Sequence, residues 1–512
     1  MSEASLVEVR PNTYLDSVLL LSASRTMLEA LGVEWGAAVM GTPANLDVIR
    51  AAGFDASALD GARANDLVLA VRAASQDAAA AALEAAHAAL YRERPSASGE
   101  EGTRALVIPE AVALLQEANV AVISVPGEYA ALEAHRALTA GLHVLLFSDN
   151  VAPADELELK ERGRELNLLV MGPGAGTAML GGVGLGFANA VRAGSVGVVA
   201  AAGTGAQEVM SLVHRWGLGC SQVIGVGGRD LSAGISGAMT SLALDALEHD
   251  PKTLTILLVS KPPSASVASA VLSASGTKPL VAALIGLDKS IETTHRVHIA
   301  RSLEGGAVLA VELSGGASPA LASGLAAAAA AATHGLAPSR RAVRGLFAGG
   351  TLCFEAMGLL ARHLGAVHSN TPLRAGWGLP APSGSHVCLD LGEEEFTRGR
   401  PHPMIDAEAR AEHIRREASD PLVAVILLDI VLGYGSHPDP AGVLAPVLAE
   451  ACLQGPRIVV YVLGTDDDPQ NANQQRQRLS EAGCVIAPTG ARAALLAAAI
   501  AGRKPEVAEA SA

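Results

Sequence analysis

One pattern occurs twice in this chain and constrains its fold more than any other feature. Val196-Gly-Val-Val-Ala-Ala-Ala-Gly-Thr-Gly-Ala-Gln-Glu-Val-Met210 and Val343-Arg-Gly-Leu-Phe-Ala-Gly-Gly-Thr-Leu-Cys-Phe-Glu-Ala-Met357 align without a gap. Each reads as a buried strand, a Gly-Thr turn and a helix with Glu in its first turns, so each presents unpaired backbone N–H groups at a helix start. Two such ends in one chain point to one anion held from both sides. A single copy is explained as well by Thr204 capping its helix, with Gln207 completing a capping box. In the second copy Phe354 replaces that Gln, whereas Ala201/Ala348, Gly203/Gly350, Thr204/Thr351 and Glu208/Glu355 all recur. Capping alone does not call for the small residues before the Thr.

Around the repeat, apolar runs alternate with helical periods along most of the 512 residues, the pattern of parallel α/β layers. An N-terminal α/β domain spans 1–91, with strands predicted at 17–22, 36–41 and 66–73. A polar linker without periodicity follows at 92–103. Residues 104–172 form the next unit, with strands at 120–125, 143–147 and 168–171. The unit at 173–313 holds the first copy and strands at 222–226, 254–260 and 279–285. A loose stretch and an Ala-rich helix occupy 314–339, and 340–503 holds the second copy with later strands at 423–429 and 457–463.

Composition removes several classes of function. A net charge of -15 and an aromatic content of 3% oppose a nucleic-acid surface, which needs basic stripes and stacking platforms. Residues 325–332 are too short a run to cross a bilayer, and the first residues carry no basic segment followed by an apolar run. The expectation is a soluble cytoplasmic protein that engages neither membrane nor nucleic acid. Cys220, Cys353, Cys388, Cys452 and Cys484 are odd in number and widely spaced, so they read as core thiols in a reducing compartment. The histidines are scattered, and no metal site is expected.

Two familiar phosphate motifs are rejected by spacing. Neither Gly203-x-Gly205-x-x-Glu208 nor Gly172-x-Gly174-x-x-Thr177 has the third Gly of a dinucleotide fingerprint, and no Gly-rich loop ends in Lys followed by Ser or Thr. What remains is a general anion site built from Gly203, Thr204, Gly205, Gly349, Gly350 and Thr351, with Gly174 and Gly228 in the neighbouring Gly-rich turns. Arg229 follows Gly227-Gly228, where it either holds an anion bidentately or pairs within a surface loop. Lys261, after a strand and before two prolines, either supplies a cation to the site or is solvated. Of His386, His402 and His437, which lie near strand ends in the last unit, His437 in Gly435-Ser-His-Pro-Asp439 is the best placed to act as acid or base.

The stretch from about Ala118 to Gly286 resembles the α chain of succinyl-CoA synthetase and its relatives, including ATP-citrate lyase. Ile123-Ser-Val-Pro-Gly, Ala140-Gly-Leu-His, Met171-Gly-Pro, Val196-Gly-Val-Val followed by Gly-Thr, Gly217-Leu-Gly and Gly225-Val-Gly-Gly-Arg-Asp230 carry that resemblance. The last unit is similar to the ligase domain of the β chain. The fusion of both halves, with Asp16-Ser-Val, Met40-Gly-Thr and Asn65-Asp-Leu near the start, resembles the FdrA family. The resemblance implies a Rossmann-like CoA-binding-type domain at 104–172 and two flavodoxin-like ligase domains, whose helix starts point at one phosphoryl group.

The departures from that family shape the expected chemistry. The phosphorylated histidine of the resembled enzymes has no counterpart after 278–286, where the chain reads Leu287-Asp-Lys-Ser-Ile-Glu-Thr-Thr-His295, and no carboxylate stands at 259–263 to orient one. The Gly-rich CoA loop and an ATP-grasp domain are missing as well. The resemblance therefore implies phosphate as a substrate with no resident cofactor, CoA and ATP binding being lost. A transfer of a carbamoyl or acyl group to or from phosphate needs an oriented nucleophile and oxyanion donors but no protein nucleophile. FdrA-type chains resemble a subunit of oxamate carbamoyltransferase, which implies partner subunits, a homo-oligomer and small anionic substrates. The alternatives are an acyl-CoA synthetase and a non-catalytic phosphate-binding scaffold.

Overall fold

The computed structural model describes residues 4–13, 15, 17–91, 105–274, 276–287, 291, 293–397 and 401–512. They fall into two compact units, Met1–Arg104 with Glu394–Pro401, and Ala105–Glu393 with His402–Ala512. The predicted linker at 92–103 lies outside the described residues.

The first unit contains β1 (Ala4–Arg10), α1 (Ser17–Glu29), β2 (Val33–Met40), α2 (Pro43–Ala51), β3 (Leu67–Ala73) and α3 (Gln76–Leu90). Here β3 is central, with β1 and β2 antiparallel on either side. The strand predicted at 17–22 is instead the start of α1. Leu20, Ala23 and Met27 are buried at spacings of three and four, so the apolar run has helical periodicity once it is followed past Ser22. The true first strand, β1, was missed. It is a half-buried edge whose apolar side chains are interrupted by Ser5, Glu8 and Arg10.

The second unit begins with α4 (Ile108–Leu114), β4 (Val120–Ile123), α5 (Gly127–Thr139), β5 (His143–Leu146), α6 (Pro153–Leu166) and β6 (Val170–Met171). These strands form a parallel sheet in the order β4-β5-β6. Next come β7 (Thr177–Leu180), β8 (Val183–Gly186), β9 (Ala193–Ala201), α7 (Gly203–Arg215), β10 (Cys220–Gly225), α8 (Ala238–His249), β11 (Thr255–Ser260), α9 (Ala265–Ser273), β12 (Leu280–Leu284), β13 (Val297–Ala300) and α10 (Leu303–Leu313). The sheet order is β13-β12-β11-β9-β10-β7-β8. Its β7–β8 hairpin is antiparallel and was not foreseen, because Gly-rich strands carry little hydrophobic period.

After α11 (Leu325–Thr333), the last layer contains β14 (Ala342–Phe347), α12 (Gly350–Leu364), β15 (Val367–His368), β16 (His386–Asp390), α13 (Glu394–Thr397), α14 (Ala411–Ser419), β17 (Val423–Val431), α15 (Pro440–Leu453), β18 (Arg457–Leu463), α16 (Ala472–Glu481), β19 (Val485–Ala487) and α17 (Gly490–Gly502). By contacts α13 belongs to the first unit. The parallel order is β15-β16-β14-β17-β18-β19. From β9 the next strand, β10, lies on one side and β11–β13 on the other, and from β14 the strands β16 and β15 lie on one side and β17–β19 on the other, a doubly wound arrangement. The fold is therefore α/β with several parallel sheets, as expected.

Alternation along β9 divides the core. Val196, Val198 and Ala200 pack with α7, α12, β14, β17 and α17, joining the two repeat-bearing layers. Val199 and Ala201 point to the other face and pack with β5, β6 and α8. On that second face Lys160 of α6 is fully buried and donates to Asp230 Oδ1 and to the Val226 carbonyl, both at 2.9 Å. It also pairs with Glu156 at 2.9 Å. Asp230 Oδ2 in turn accepts from the Thr240 N–H and hydroxyl at the start of α8. Removing one charge from such a network leaves the others buried and unpaired, which costs about 3–5 kcal/mol. Lys160→Met is expected to lower the thermal midpoint sharply, measured by calorimetry, while Arg136→Met, whose partner is partly exposed, leaves it nearly unchanged.

Candidate functional site

The two repeated helix starts meet. The Thr351 N–H donates to Thr204 Oγ1 at 3.2 Å, and both threonines are buried. The small residues permit this approach. A β-carbon on Gly349 would lie 2.9 Å from Thr204 Cγ2, and one on Gly205 would lie 3.1 Å from Thr351 Cγ2, so larger residues would force the helices apart. Part of the sequence pattern read as anion binding is thus a mutual interlock. Thr204 does not cap its own helix. It accepts from the other one.

The repeated glutamates are explained by the same pseudo-symmetry. Glu208 of α7 accepts from Tyr461 Oη at 2.6 Å and from the Gly490 N–H at the start of α17 at 3.3 Å. Glu355 of α12 accepts from the Leu303 N–H at the start of α10 at 2.6 Å. Each repeat helix therefore satisfies a donor at the first turn of the other layer's last helix. Burial pushes Glu208 up to about 7 and Glu355 up to about 8. Around them stand Arg215, Glu304 and Arg362, with Arg492 forking onto Glu304.

The two helix starts differ in charge. In the second layer Asp429 of β17 accepts from the Ala348 and Gly349 N–H groups at 2.7 Å each. Its other partner is the buried Arg410, whose Nη1 lies 3.1 Å from Oδ1. Burial raises Asp429 despite Arg410 and these N–H donors. Strand register identifies its counterpart. Leu346 pairs with Leu428 and Val199 with Leu258, so Asp429 corresponds to Val259. At α7 no side chain or carbonyl among the described residues accepts from the N–H groups of Gly203, Thr204 or Gly205, and Gly203 is exposed.

Lys261, just past β11, reaches this region. A β-carbon on Gly350 would lie 2.3 Å from Asp390 Oδ2 and 3.3 Å from Lys261 Nζ. Burial raises Asp390 to about 6, opposed first by Lys261. His402 stands over the same end, its Nε2 at 2.6 Å from where Gly392 would carry a β-carbon. Its Nδ1 accepts the Met404 N–H. Burial, then Arg410, lowers its pKa to about 4, so it is neutral near pH 7.

Of the residues singled out in the sequence, Gly203, Thr204, Gly205, Lys261, Gly349, Gly350 and Thr351 are brought together. Gly174 and Arg229 lie elsewhere, at the ends of the β4–β6 sheet. Gly174 bonds to the Ser148 carbonyl, and Arg229 pairs with Glu156 at 2.7 Å and with the Val151 carbonyl. Gly228 sits beside Arg229 in the same loop. His437 accepts the Asp439 N–H on Nδ1, organising the loop before α15. His295 is exposed in the segment before β13. Sequence reasoning missed Asp390, Arg410 and Asp429, and ranked His402 below His437. A lone carboxylate within the apolar run 423–431 was the available signal for Asp429. Four of the five cysteines are buried and the fifth is partly so, all as free thiols.

Comparison with known proteins fits this architecture. The chain is 40% identical to the Escherichia coli protein YahF over 512 aligned residues, covering 96% of this chain and 97% of that one. It belongs to the YahF family. Residues 346–500 match the CoA-ligase family, and residues 1–105 match the AllF heavy metal-associated domain. Subunit alpha 2 of the ADP-forming succinate–CoA ligase of Archaeoglobus fulgidus is 31% identical over 171 residues, covering 31% of this chain and 58% of that subunit. The solved dinucleotide-forming acetyl-coenzyme A synthetase 1 of Ca. Korarchaeum cryptofilum is 17% identical, covers 81% of this chain and 89% of its own, and superposes with a TM-score of 0.33. Heavy-metal binding does not fit the first unit. Residues 1–105 contain no Cys and one His, His87, and soft metals favour thiolate ligands. His87 is engaged with Glu8 at 2.9 Å and Arg10 at 3.1 Å.

The buried glutamates set a pH dependence. Folding raises Glu208 and Glu355 above the ordinary 4.5, to about 7 and about 8, so the folded state holds protons that the unfolded chain releases. Their contribution is complete below about pH 4.5 and is lost as pH rises through about 7 and about 8. The thermal midpoint is expected to fall between pH 5 and pH 8, and the Glu208→Gln/Glu355→Gln protein to show a flatter profile by scanning calorimetry. An unchanged slope would rule out this pair as its source.

Proposed function

We propose that this chain is an FdrA-type subunit of a phosphate-dependent carbamoyl- or acyl-transfer complex. Its reaction is that of oxamate carbamoyltransferase, oxalurate plus phosphate giving oxamate plus carbamoyl phosphate. The observation that carries this reading is the asymmetry between the two helix starts. Asp429 accepts from the two N–H groups just before α12, whereas Val259 holds the equivalent place before α7, Gly203 is exposed, and Lys261 reaches Gly350 at the facing helix start. A helix start with unpaired N–H groups favours an oxyanion by about 0.3–1 kcal/mol, and by up to about 2 where partly buried.

In this reading, phosphate sits against Gly203, Thr204 and Gly205 with Lys261 supplying the cation. Asp390, raised to about 6, is suited to exchanging a proton with phosphate near neutral pH. No phosphohistidine is required, in keeping with the exposed position of His295. The AllF match of the first unit supports a link to allantoin-derived ureido compounds. The match of residues 346–500 to CoA-ligases favours the second reading, an acyl-CoA synthetase.

The test uses the full chain purified with the subunits it retains, supplied with oxamate and carbamoyl phosphate. Release of phosphate with formation of oxalurate is expected, and Lys261→Met should lower the rate by roughly a hundredfold, the scale set by loss of one oxyanion-stabilising group. Thr204→Val, which removes the interlocking acceptor, should also reduce it. Transfer of label from radioactive ATP to the chain, together with CoA binding, would establish the synthetase instead. Full turnover by Lys261→Met would remove the helix-start site from the chemistry.

A further inference from the structure

A second polar cleft lies at the far end of α7. It has a volume of ≈ 140 Å³ and is lined by Asn189, Arg192, Tyr434, Asp467 and the glycines of the β7–β8 turn. A cavity of about 150 Å³ holds a six-carbon ring, so this space suits a molecule of a few heavy atoms. Its walls are fixed. The buried Asp468 carboxylate accepts from Asn189 Nδ2 at 2.8 Å, from the Ala190 N–H at 2.7 Å and from the Thr465 N–H at 2.8 Å. The Tyr434 N–H donates to the Ala188 carbonyl.

His214, whose side chain is 6% exposed, stands behind two lining residues, Arg192 and Asp467. Its Nδ1 accepts the Arg192 backbone N–H at 3.0 Å, so its proton is on Nε2. That Nε2–H and Arg192 Nη2 are then two donors 3.3 Å apart, and Asp467 Oδ2 lies 3.5 Å from Nε2. Burial and the nearby Arg192 both lower the histidine's pKa, against Asp467 and Asp466. Two converging donors are satisfied together by one oxygen acceptor placed between them, and a carboxylate matches the guanidinium fork in addition. Arg192 and Asp467 are exposed, and both line the cleft, one beside each domain's loops.

We propose that this cleft binds a small carboxylate carrying an N–H donor, with Arg192 and His214 taking the carboxylate and Asp467 accepting the N–H. The ligand would bridge the 189–192 segment of the first repeat-bearing layer to the 434 and 467 loops of the second. It would thereby hold together the two layers whose helix starts interlock at the opposite end of α7. The cleft runs along α7, and its Arg192–His214 end lies roughly 16 Å from Gly203 along the helix axis, so the assignment does not rest on the proposed reaction.

Malonamate, an amide-bearing carboxylate, and monomethyl malonate, its ester counterpart without the N–H, are the probes. Calorimetric titration of the full chain is expected to show saturable binding of malonamate and at least about tenfold weaker binding of the ester. Arg192→Gln and Asp467→Asn should each weaken malonamate by about tenfold or more, and Lys261→Met should not. Both substituted positions are exposed, and an unchanged thermal midpoint would confirm that these proteins are folded. Absence of saturable binding, equal binding of the two probes, or binding abolished by Lys261→Met but indifferent to Arg192→Gln would each overturn the assignment.

Discussion

Everything in the larger unit is arranged around the contact of two helix starts. Each carries the equivalent of about half a positive charge, so bringing them together is unfavourable unless anions or acceptors intervene. Thr204 Oγ1 supplies one acceptor, at 3.2 Å from the Thr351 N–H, and Asp429 supplies a carboxylate to the two N–H groups before it. Glycines at 205 and 349 make the approach sterically possible. The glutamates one turn further along then tie each of these helices to the last helix of the opposite layer. Such an arrangement fixes the angle of the layers through hydrogen bonds whose donors would otherwise be buried without partners.

Duplication explains the interlock, and divergence explains the opening in it. The polar residues of the contact, Thr204/Thr351 and Glu208/Glu355, are the same in both copies, while the glycines that permit it, Gly205 and Gly349, align with Leu352 and Ala202. The residues that neutralise the helix starts are different. Register pairs Asp429 with Val259, so one layer carries its own anion and the other does not. Lys261, two positions beyond that valine, reaches across to Gly350 and Asp390 at the start of α12. The oxyanion site proposed at α7 rests on the lack of a carboxylate at that one strand position.

The repeat was legible because its strands are mainly apolar, Arg344 being an exception, and its turns are marked by Gly-Thr, signals that depend only on local sequence. The doubly wound layers followed from them. Ser17–Ser22 was misread because six apolar and small residues fit either a buried strand or a helix, and only Met27 at the right spacing settles the choice. The meaning of Glu208 was hidden for another reason. Its partners, Tyr461 and Gly490, lie more than 250 positions away in sequence, and no local pattern encodes them. His437 was favoured over His402 for its place after a long strand. Both fall in irregular loops, and which one comes close to Asp390 depends on how the 402–406 turn packs against Gly392.

The net charge of -15 gives the helix-start site its character. An acidic chain does not draw anions by its overall field, so affinity has to come from groups within a few ångströms. Among those groups, Asp390 and Asp429 oppose an incoming oxyanion, and burial has already moved both towards their neutral forms. Arg410 offsets Asp429 from behind, and Lys261 stands nearest to Asp390 at Gly350. A protonated Asp390 beside Lys261 places one donor and one cation at Gly350. Ionised, it competes with the same oxyanion for Lys261. If the proposed oxyanion binds beside Lys261, its occupancy and the proton on Asp390 are linked, because each removes the charge that opposes the other.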